Sequence, residues 1–558
     1  MFVPKLFTCL KNYSKEQFFK DIAAGIIVAI IAFPLSIALA IASGVSPEKG
    51  LHTAVIGGFI ISFLGGSRVQ IGGPTGAFII IVFGIIEAHG LQGLIIATLI
   101  AGIFLIIMGL LKIGSMIKYI PYPITSGFTS GIAITIFSTQ ITDFFGLKIS
   151  KVPSEFLPKW ISYFNHMNTI NYTNLMVGLF SLGIILLWPK VNKKIPGTLI
   201  AIIAATVITS VFKLPIDTIG SRFGSISGSL PKLTVPNMDM NMIRSLIFPG
   251  ITIAVLAAVE SLLSAVVADG MVGGKHRSNM ELVAQGAANI CSALFGGIPV
   301  TGAIARTAAN IKNGGRTPVA GIVHSVVLLF IMIIFLPYMK LVPMTTLAAI
   351  LIMVSYNMGE WEVFGRLRRA PKSDAVVFLV TFSLTIFFDL VTAIGVGIVL
   401  ASFLFMKRMS DVAEVKYILD SNEDVDANEF LAEIKTPEHI SLYEISGPFF
   451  FGAADKFVNV MREMNFSVKV LIIKMNNVPA MDATAFHSLE TLYDLCKKRN
   501  TKLILMGLPD QPYNMLKKYG FIDIIGKENI CRTINKSIKR ANYILEHVDT
   551  DEALEEVG

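Results

Sequence analysis

The sequence predicts a polytopic α-helical membrane protein: 14 transmembrane segments in a 7+7 inverted repeat, followed by a small cytoplasmic α/β domain. Three observations carry this. Of 558 residues, 53% are hydrophobic and 15% charged, where soluble chains carry about 25% charge, and many windows long enough to cross a bilayer hold no charge. The triplet Thr75-Gly76-Ala77 returns as Thr301-Gly302-Ala303, 226 positions later. After Arg408 the long apolar stretches stop, and short strands alternate with helices.

Residues 1–20 form a partly amphipathic lead-in, with Lys5, Lys11, Lys15, Glu16 and Lys20 and no clean apolar stretch of a cleavable signal. The transmembrane region spans 21–409, with repeat 1 over about 21–212 and repeat 2 over about 243–409. In repeat 1, apolar segments fall near 22–43, 51–64, 75–88, 91–111, 122–143, 173–188 and 196–212. In repeat 2 they fall near 245–268, 280–294, 302–311, 317–337, 344–357, 374–389 and 391–406. Segments 75–88 and 302–311 are short for a crossing, and each follows Gly/Pro punctuation, Gly72-Gly73-Pro74 and Gly296-Gly297-Ile298-Pro299. Non-helical backbone at membrane depth is tolerated only where it is buried or lines a cavity. These breaks therefore predict paired half-helices whose amide-rich N-termini face each other across a substrate site.

The same offset relates Phe33-Pro34 to Val259-Glu260, and Lys118-Tyr119-Ile120-Pro121 is echoed by Lys340-Leu341-Val342-Pro343. Seven is odd, so the second half enters inverted. With the N-terminus inside, cytoplasmic ends carry Arg68, Lys112, Lys190, Lys275, Lys312, Arg366 and Lys407 among others. Outer connections carry chiefly Lys148, Lys151, Lys159 and Lys213. That asymmetry satisfies the positive-inside rule and places both termini in the cytoplasm of a cell whose plasma (inner) membrane holds the chain. Residues 410–436 read as a polar linker, 437–548 as the α/β domain and 549–558 as an acidic, disordered tail. Within the domain, 439–446, 468–475 and 502–506 read as strands, and 453–464, 483–498 and 528–547 as helices.

Glu260 is the sharpest single residue. An acid within a span costs about 2.5–3.5 kcal/mol on insertion scales and marks function by default. It is a candidate for proton coupling or cation binding, against a structural ion pair with Arg306. Ser264, one turn on, is a second coupling ligand or a hydroxyl satisfied by its own helix. Arg306, one turn into the tenth segment, adds positive potential where an anion would bind, or else snorkels. Gly76, Ala77, Gly302 and Ala303 let amides approach a ligand, or let helices pack. Cys9, Cys291, Cys496 and Cys531 are scattered free thiols without metal-ligand spacing. There is no P-loop, no catalytic constellation, and nothing that calls for a cofactor or nucleic acid.

These stretches resemble the SulP family of anion transporters, which includes eukaryotic solute-carrier relatives and prestin. The resemblance is carried by Phe33-Pro34-Leu35-Ser36-Ile37-Ala38 with Ala42-Ser43-Gly44-Val45, and by Gly72-Gly73-Pro74-Thr75-Gly76-Ala77. It continues in Glu260-Ser261-Leu262-Leu263-Ser264 with Val267-Ala268-Asp269-Gly270-Met271, and in Thr301-Gly302-Ala303-Ile304-Ala305-Arg306-Thr307-Ala308-Ala309-Asn310. It implies a core of segments 1–4 and 8–11, a gate of 5–7 and 12–14, and a homodimer. By that resemblance Leu35, Ser36 and Leu39 line one side of the substrate site. Thr75, Gly76 and Ala77 present one set of amides, and Thr301, Gly302 and Ala303 the other.

The C-terminal region is similar to a STAS domain, through Leu471-Ile472-Ile473-Lys474-Met475-Asn476-Asn477-Val478-Pro479 and Met481-Asp482-Ala483-Thr484-Ala485. Ala483 stands where the anti-sigma-factor-antagonist branch carries a phosphorylatable Ser, which argues against that switch. Folding, dimer organisation, regulation and a cytoplasmic protein partner are the roles implied. Sodium-coupled bicarbonate carriers of the family have Asp at the position of Glu260. Glu looks more like the proton-coupled members, sulfate permeases and fumarate/succinate carriers. The stretch Gly273–Asn310 resembles the dicarboxylate branch. The expected function is secondary active, proton-coupled uptake of sulfate or a similar inorganic anion, with Na⁺ a weaker coupling ion. C4-dicarboxylate symport, bicarbonate transport and an anion channel are the alternatives. A nucleobase permease shares the inverted plan, but Arg306 and the STAS tail count against it.

Overall fold

The computed structural model describes residues 2–116, 119–150, 152–153, 155–192, 195–224, 230–234, 236, 239–388, 390–417, 439–450, 457 and 468–555. The chain forms two compact units, Met1–Val399 and Leu400–Gly558.

In the first unit, α1 runs Lys15–Ala42. Ser14 caps it by accepting from the Gln17 amide, Glu16 sits in the first turn, and Pro34 lies inside. Next, α2 is assembled from Pro47–His52, a π turn Thr53–Gly57, and Gly58–Leu64. The two-residue strand β1 (Gly72–Gly73) and a 3₁₀ turn (Gly76–Phe78) lead into α3, Ile79–Leu110. The latter is two crossings joined without a loop at Gly90, whose φ of 65° and ψ of −168° turn the chain. Then follow α4 (Tyr122–Phe145), α5 (Phe156–Asn165), α6 (Tyr172–Val191) and α7 (Gly197–Val211). Of these, α5 has no counterpart in the sequence reading.

The second half repeats the plan. It comprises α8 (Met240–Val272), α9 (Ser278–Leu294), β2 (Thr301–Gly302), α10 (Ile304–Lys312), α11 (Pro318–Phe335), α12 (Met344–Met358), α13 (Lys372–Phe387) and α14 (Leu390–Val412). Counting α3 twice and leaving out α5, fourteen segments follow one another as the sequence predicts. Six helical stretches among the described residues are long and apolar enough to cross a membrane; the others are half-helices, interrupted or shorter, or, like the 24-residue α4, less apolar.

The packing obeys the repeat. In the core, α1 lies against α11, and its repeat counterpart α8 lies against the later part of α3. Small residues allow this closeness: a methyl on Gly25 would sit 2.6 Å from the Ala320 carbonyl oxygen, and one on Gly250 2.6 Å from Ile100 Cγ2. In the gate, α4 packs on α12 and α13, and α6 on α7 and α12.

Two buried carboxylates tie the halves together at the N-terminal end of α1. Asp21 accepts from Tyr13 Oη (2.8 Å), Gln17 Nε2 (2.9 Å), the Arg316 amide (2.8 Å) and Thr317 Oγ1 (2.5 Å). Glu281 of α9 accepts from the amides of Gly66 (2.8 Å) and Ser67 (3.0 Å) and from Gln285 Nε2 (2.8 Å). Each buried acid is satisfied by donors, and each reaches into the opposite repeat.

The second unit is a five-stranded sheet in the order β3-β4-β5-β6-β7: Glu414–Tyr417, Ile440–Ser446, Val470–Asn477, Lys502–Met506 and Ile530–Cys531. The first pair is antiparallel and the rest are parallel. One face, with Leu471, Ile473 and Leu505, packs on α15 (Ala483–Lys498), α16 (Asp510–Lys518) and α17 (Phe521–Ile525). The other, with Leu442, Ile472 and Ile504, packs on Ile538, Ala541 and Ile544 of α18 (Ile534–Glu555). Both faces are covered, which is why these strands read as continuous apolar runs. Asp482 caps α15 through the Ala485 amide, and Ala483 and Thr484 stand exposed in its first turn.

Two readings change, and a third falls outside the described residues. The segment 410–436, read as a linker, contains β3; a four-residue edge strand is too short to show in composition. The acidic tail from 549 is continued by α18 to Glu555, through good helix formers. The helix expected at 453–464 lies almost wholly outside the described residues.

Two predictions follow from this packing. A methyl on Gly50 would lie 2.1 Å from the Ser36 carbonyl oxygen, a backbone atom that cannot step aside. Gly50→Ala is expected to cost about 2 kcal/mol, read as a lower melting temperature of the purified protein. Cys496 is buried in the second unit, and burial pushes its thiol up to about 12. Its alkylation at pH 8 is expected to be at least about 100-fold slower in the folded protein than after denaturation, measured by mass spectrometry.

Candidate functional site

At the centre of the core the two interrupted segments meet. The strands β1 and β2 pair antiparallel, Gly72 opposite Gly302 and Gly73 opposite Thr301. Antiparallel pairing sends the following helices, α3 and α10, off in opposite directions from one crossing. Their N-termini, with unpaired amides and the positive end of the helix dipole, therefore converge.

Extended backbone at this depth needs hydrogen-bond partners, and polar side chains supply them. The Ile71 amide donates to Thr307 Oγ1 (3.0 Å), and the Val69 carbonyl accepts from Asn310 Nδ2 (2.9 Å). Before β2, Asn289 holds both backbone groups of Val300 (2.8 and 3.0 Å), while Thr53 Oγ1 accepts from the Ile298 amide (2.7 Å). The stretch is extended because other elements' side chains replace helical hydrogen bonds.

Thr75 is the N-cap residue of the first helical turn, and its hydroxyl donates to Glu260 Oε2 at 2.7 Å. The half-buried Glu260 of α8 thus lies at the start of the first half-helix. Among the described residues, the amides of Gly76 and Ala77 have no acceptor. Gly76 faces Ile136 of α4 and Met358 of α12, so gate helices close over this point.

On the other side, the Thr301 hydroxyl donates to the Ala257 carbonyl (2.9 Å). The Ala303 amide donates to the Ile71 carbonyl (2.9 Å), and Thr301 and Gly302 belong to β2. Of the three predicted positions, Ala303 has its amide engaged by Ile71, and the amides of Ile304 and Ala305 follow without an acceptor among the described residues. The sequence showed the interruption but not the strand inside it.

Arg306 is 3% exposed, and its Nη2 donates to the Pro74 carbonyl. Its Nη1 has no hydrogen-bond partner and lies against Gly73, where any side chain would collide with it. Arg306 and Glu260 are close enough for each to feel the other's charge, but no ion pair joins them among the described residues. Ser264 is fully buried and donates to Thr307 Oγ1 (3.3 Å), extending the chain of bonds that ends at Ile71.

On α1, Leu35 is half-buried, Leu39 buried, and Ser36 buried with an unpartnered hydroxyl. Sequence reasoning missed Gln70, whose buried amide group has no partner and sits where a Gly302 side chain would be. It also missed Thr307 and Asn289, although polar residues beside a Gly/Pro break were a usable signal. Among the described residues no group of three or more His, Cys, Asp or Glu could hold a metal ion.

A family model described as "Sulfate permease family" matches residues 18–381, and "STAS domain" matches 432–537. The "Putative sulfate transporter YvdB" of Bacillus subtilis is 42% identical over 522 residues, covering 93% of this chain and 97% of its own. The "Bicarbonate transporter BicA" of a Picosynechococcus species is 29% identical over 541 residues, covering 93% and 94%. The inward-facing structure of the murine Solute Carrier 26 family member A9 anion transporter aligns with a TM-score of 0.85 at 18% identity, over 97% of this chain and 94% of that one, which shows the shared fold. With the family match covering the membrane region and the STAS match the second unit, this chain belongs to the sulfate permease (SulP) family of multi-pass membrane transporters and is not an enzyme.

Proposed function

We propose that the chain is a secondary active anion transporter that takes up sulfate, or a similar inorganic anion, together with a proton, by movement of core against gate. One observation carries this reading: Thr75 hands a hydrogen bond to Glu260 at the half-helix ends, within reach of the Arg306 charge. The free amides of Gly76, Ala77, Ile304 and Ala305, with Arg306, supply positive potential for an anion. An ionised Glu260 opposes that potential, and a protonated one does not. Anion and proton then favour each other's binding, which is the coupling a symporter needs.

The substrate-binding residues proposed are Leu35, Ser36, Leu39, Thr75, Gly76, Ala77, Thr301, Gly302, Ala303 and Arg306. Glu260, with Ser264 behind it, serves coupling. The relative named for sulfate supports sulfate; the relative named for bicarbonate keeps that anion as a second reading. The chain resides in the plasma (inner) membrane with both termini cytoplasmic, as a homodimer whose STAS unit receives a cytoplasmic protein partner.

The test is uptake by purified protein in proteoliposomes under an inward proton gradient, with labelled sulfate challenged by fumarate or bicarbonate. Gradient-dependent sulfate accumulation that resists fumarate is expected. Fumarate uptake without sulfate uptake would overturn the substrate. Glu260→Gln is expected to abolish accumulation with an unchanged melting temperature; accumulation equal to wild type would refute the coupling role. Removing residues 437–558 is expected to lower the transport rate and leave the order of preferred anions unchanged, measured by competition in the same vesicles.

A further inference from the structure

At the end of the first unit opposite the N-terminus of α1 lies a cavity of about 500 Å³. Core residues Ala38, Ile79 and Phe83 form one wall, and gate residues Gln140 and Leu351 another. Ile79 is three residues past Gly76, so the cavity runs along the first half-helix toward the candidate site.

The helix α5 contributes Lys159 and Tyr163 to the wall of this cavity. Its apolar side chains point outward and its lysine points in. Leu157, Ile161 and Phe164 are 59%, 60% and 67% exposed, while Lys159 is 6% exposed and lines the cavity. Tyr163, one turn on, is buried beside it and donates to the Ser138 carbonyl (2.9 Å). A lysine at a membrane boundary ordinarily snorkels its ammonium outward. Phe156 packs edge-on against Phe387 of α13 and holds the helix to the gate.

Other charged residues among the described lining have partners of their own. Arg222 forms a bidentate pair with Asp143 (2.7 and 3.0 Å), and Glu87 stands exposed at the rim. Among the described residues Lys159 has neither a hydrogen-bond acceptor nor an acidic partner. Burial alone pulls its ammonium below the ordinary lysine range, with no neighbouring charge contributing. An unpaired cation held in a cavity is stabilised by an anion that enters the cavity.

We propose that Lys159 forms a second anion site, a vestibule site for a small oxyanion that is occupied before the anion reaches the half-helix ends. The proposal rests on the anion-transport reading for its purpose, but not for its binding chemistry. Lys159→Gln removes an unpaired buried charge, so the fold is retained.

In proteoliposomes at low ionic strength, Lys159→Gln is expected to raise the KM for sulfate about tenfold, with a smaller effect on the maximal rate. Lys159→Arg is expected to keep the wild-type KM, and high salt to bring all three proteins together. An unchanged KM in Lys159→Gln at low salt would overturn the site. A direct binding readout separates this from the transport reading. Trp160 adjoins Lys159, and in full-length protein carrying Trp188→Phe and Trp361→Phe its fluorescence reports the vestibule. Iodide quenching that falls at least about threefold in Lys159→Gln, and is relieved by inorganic sulfate in the parent protein, supports the site even if no uptake is seen. Equal quenching in both proteins would refute it even if uptake is normal.

Discussion

The crossing of β1 and β2 is the constraint on which the core depends. Placing extended backbone at membrane depth leaves amides and carbonyls that lipid cannot satisfy. Everything around it follows from meeting that demand. Thr307 and Asn310 hold the first break, Asn289 and Thr53 the second, and Arg306 takes the Pro74 carbonyl. What remains unpaired, at Gly76, Ala77, Ile304 and Ala305, is the part a ligand can use. In the proposed reading, structure and anion recognition are two uses of one set of backbone groups.

Glycine makes the crossing geometrically possible. At Gly73 a side chain would occupy the place of the Arg306 guanidinium, and at Gly302 that of the Gln70 amide. The repeated triplet therefore marks a steric requirement as well as a chemical one. Duplication preserved the interruption in both halves, yet the halves diverged in what they put beside it. Pro34 in the first repeat stands at the position of Glu260 in the second. A helix-internal proline in one half corresponds to an acid in the other, so the carboxylate that meets Thr75 comes from the second repeat.

Much of this was legible in the chain. Bilayer length fixes how long an apolar run must be, so the fourteen segments appeared in the right places, although the first helix begins earlier, at Lys15, and the last ends later, at Val412. Glu260 and Arg306 stood out because charge at membrane depth is costly. The partners of the breaks did not. Asn310 reaches Val69 across 241 positions, and no local pattern encodes such a pairing. The inward turn of Lys159 was hidden for a related reason: on sequence it is one of a few outer-loop cations, and only its packing makes it unusual. The bond from the Ala303 amide to Ile71 was hidden too, because a two-residue strand has no periodicity to read.

The Asp21 and Glu281 ties have a consequence for how the chain is made. Asp21 leaves the ribosome 295 residues ahead of the Arg316 amide it will accept from, and Gly66 leaves 215 residues ahead of Glu281. The first repeat is made with Asp21 answered by Tyr13 and Gln17 alone and with the Gly66 and Ser67 amides still waiting for Glu281. Those bonds close only when the ninth segment, with Glu281, and the turn before the eleventh, with Arg316 and Thr317, have been made. Assembly of the core is a late event in synthesis, and a chain stalled after repeat 1 is an incomplete protein rather than half of a working one.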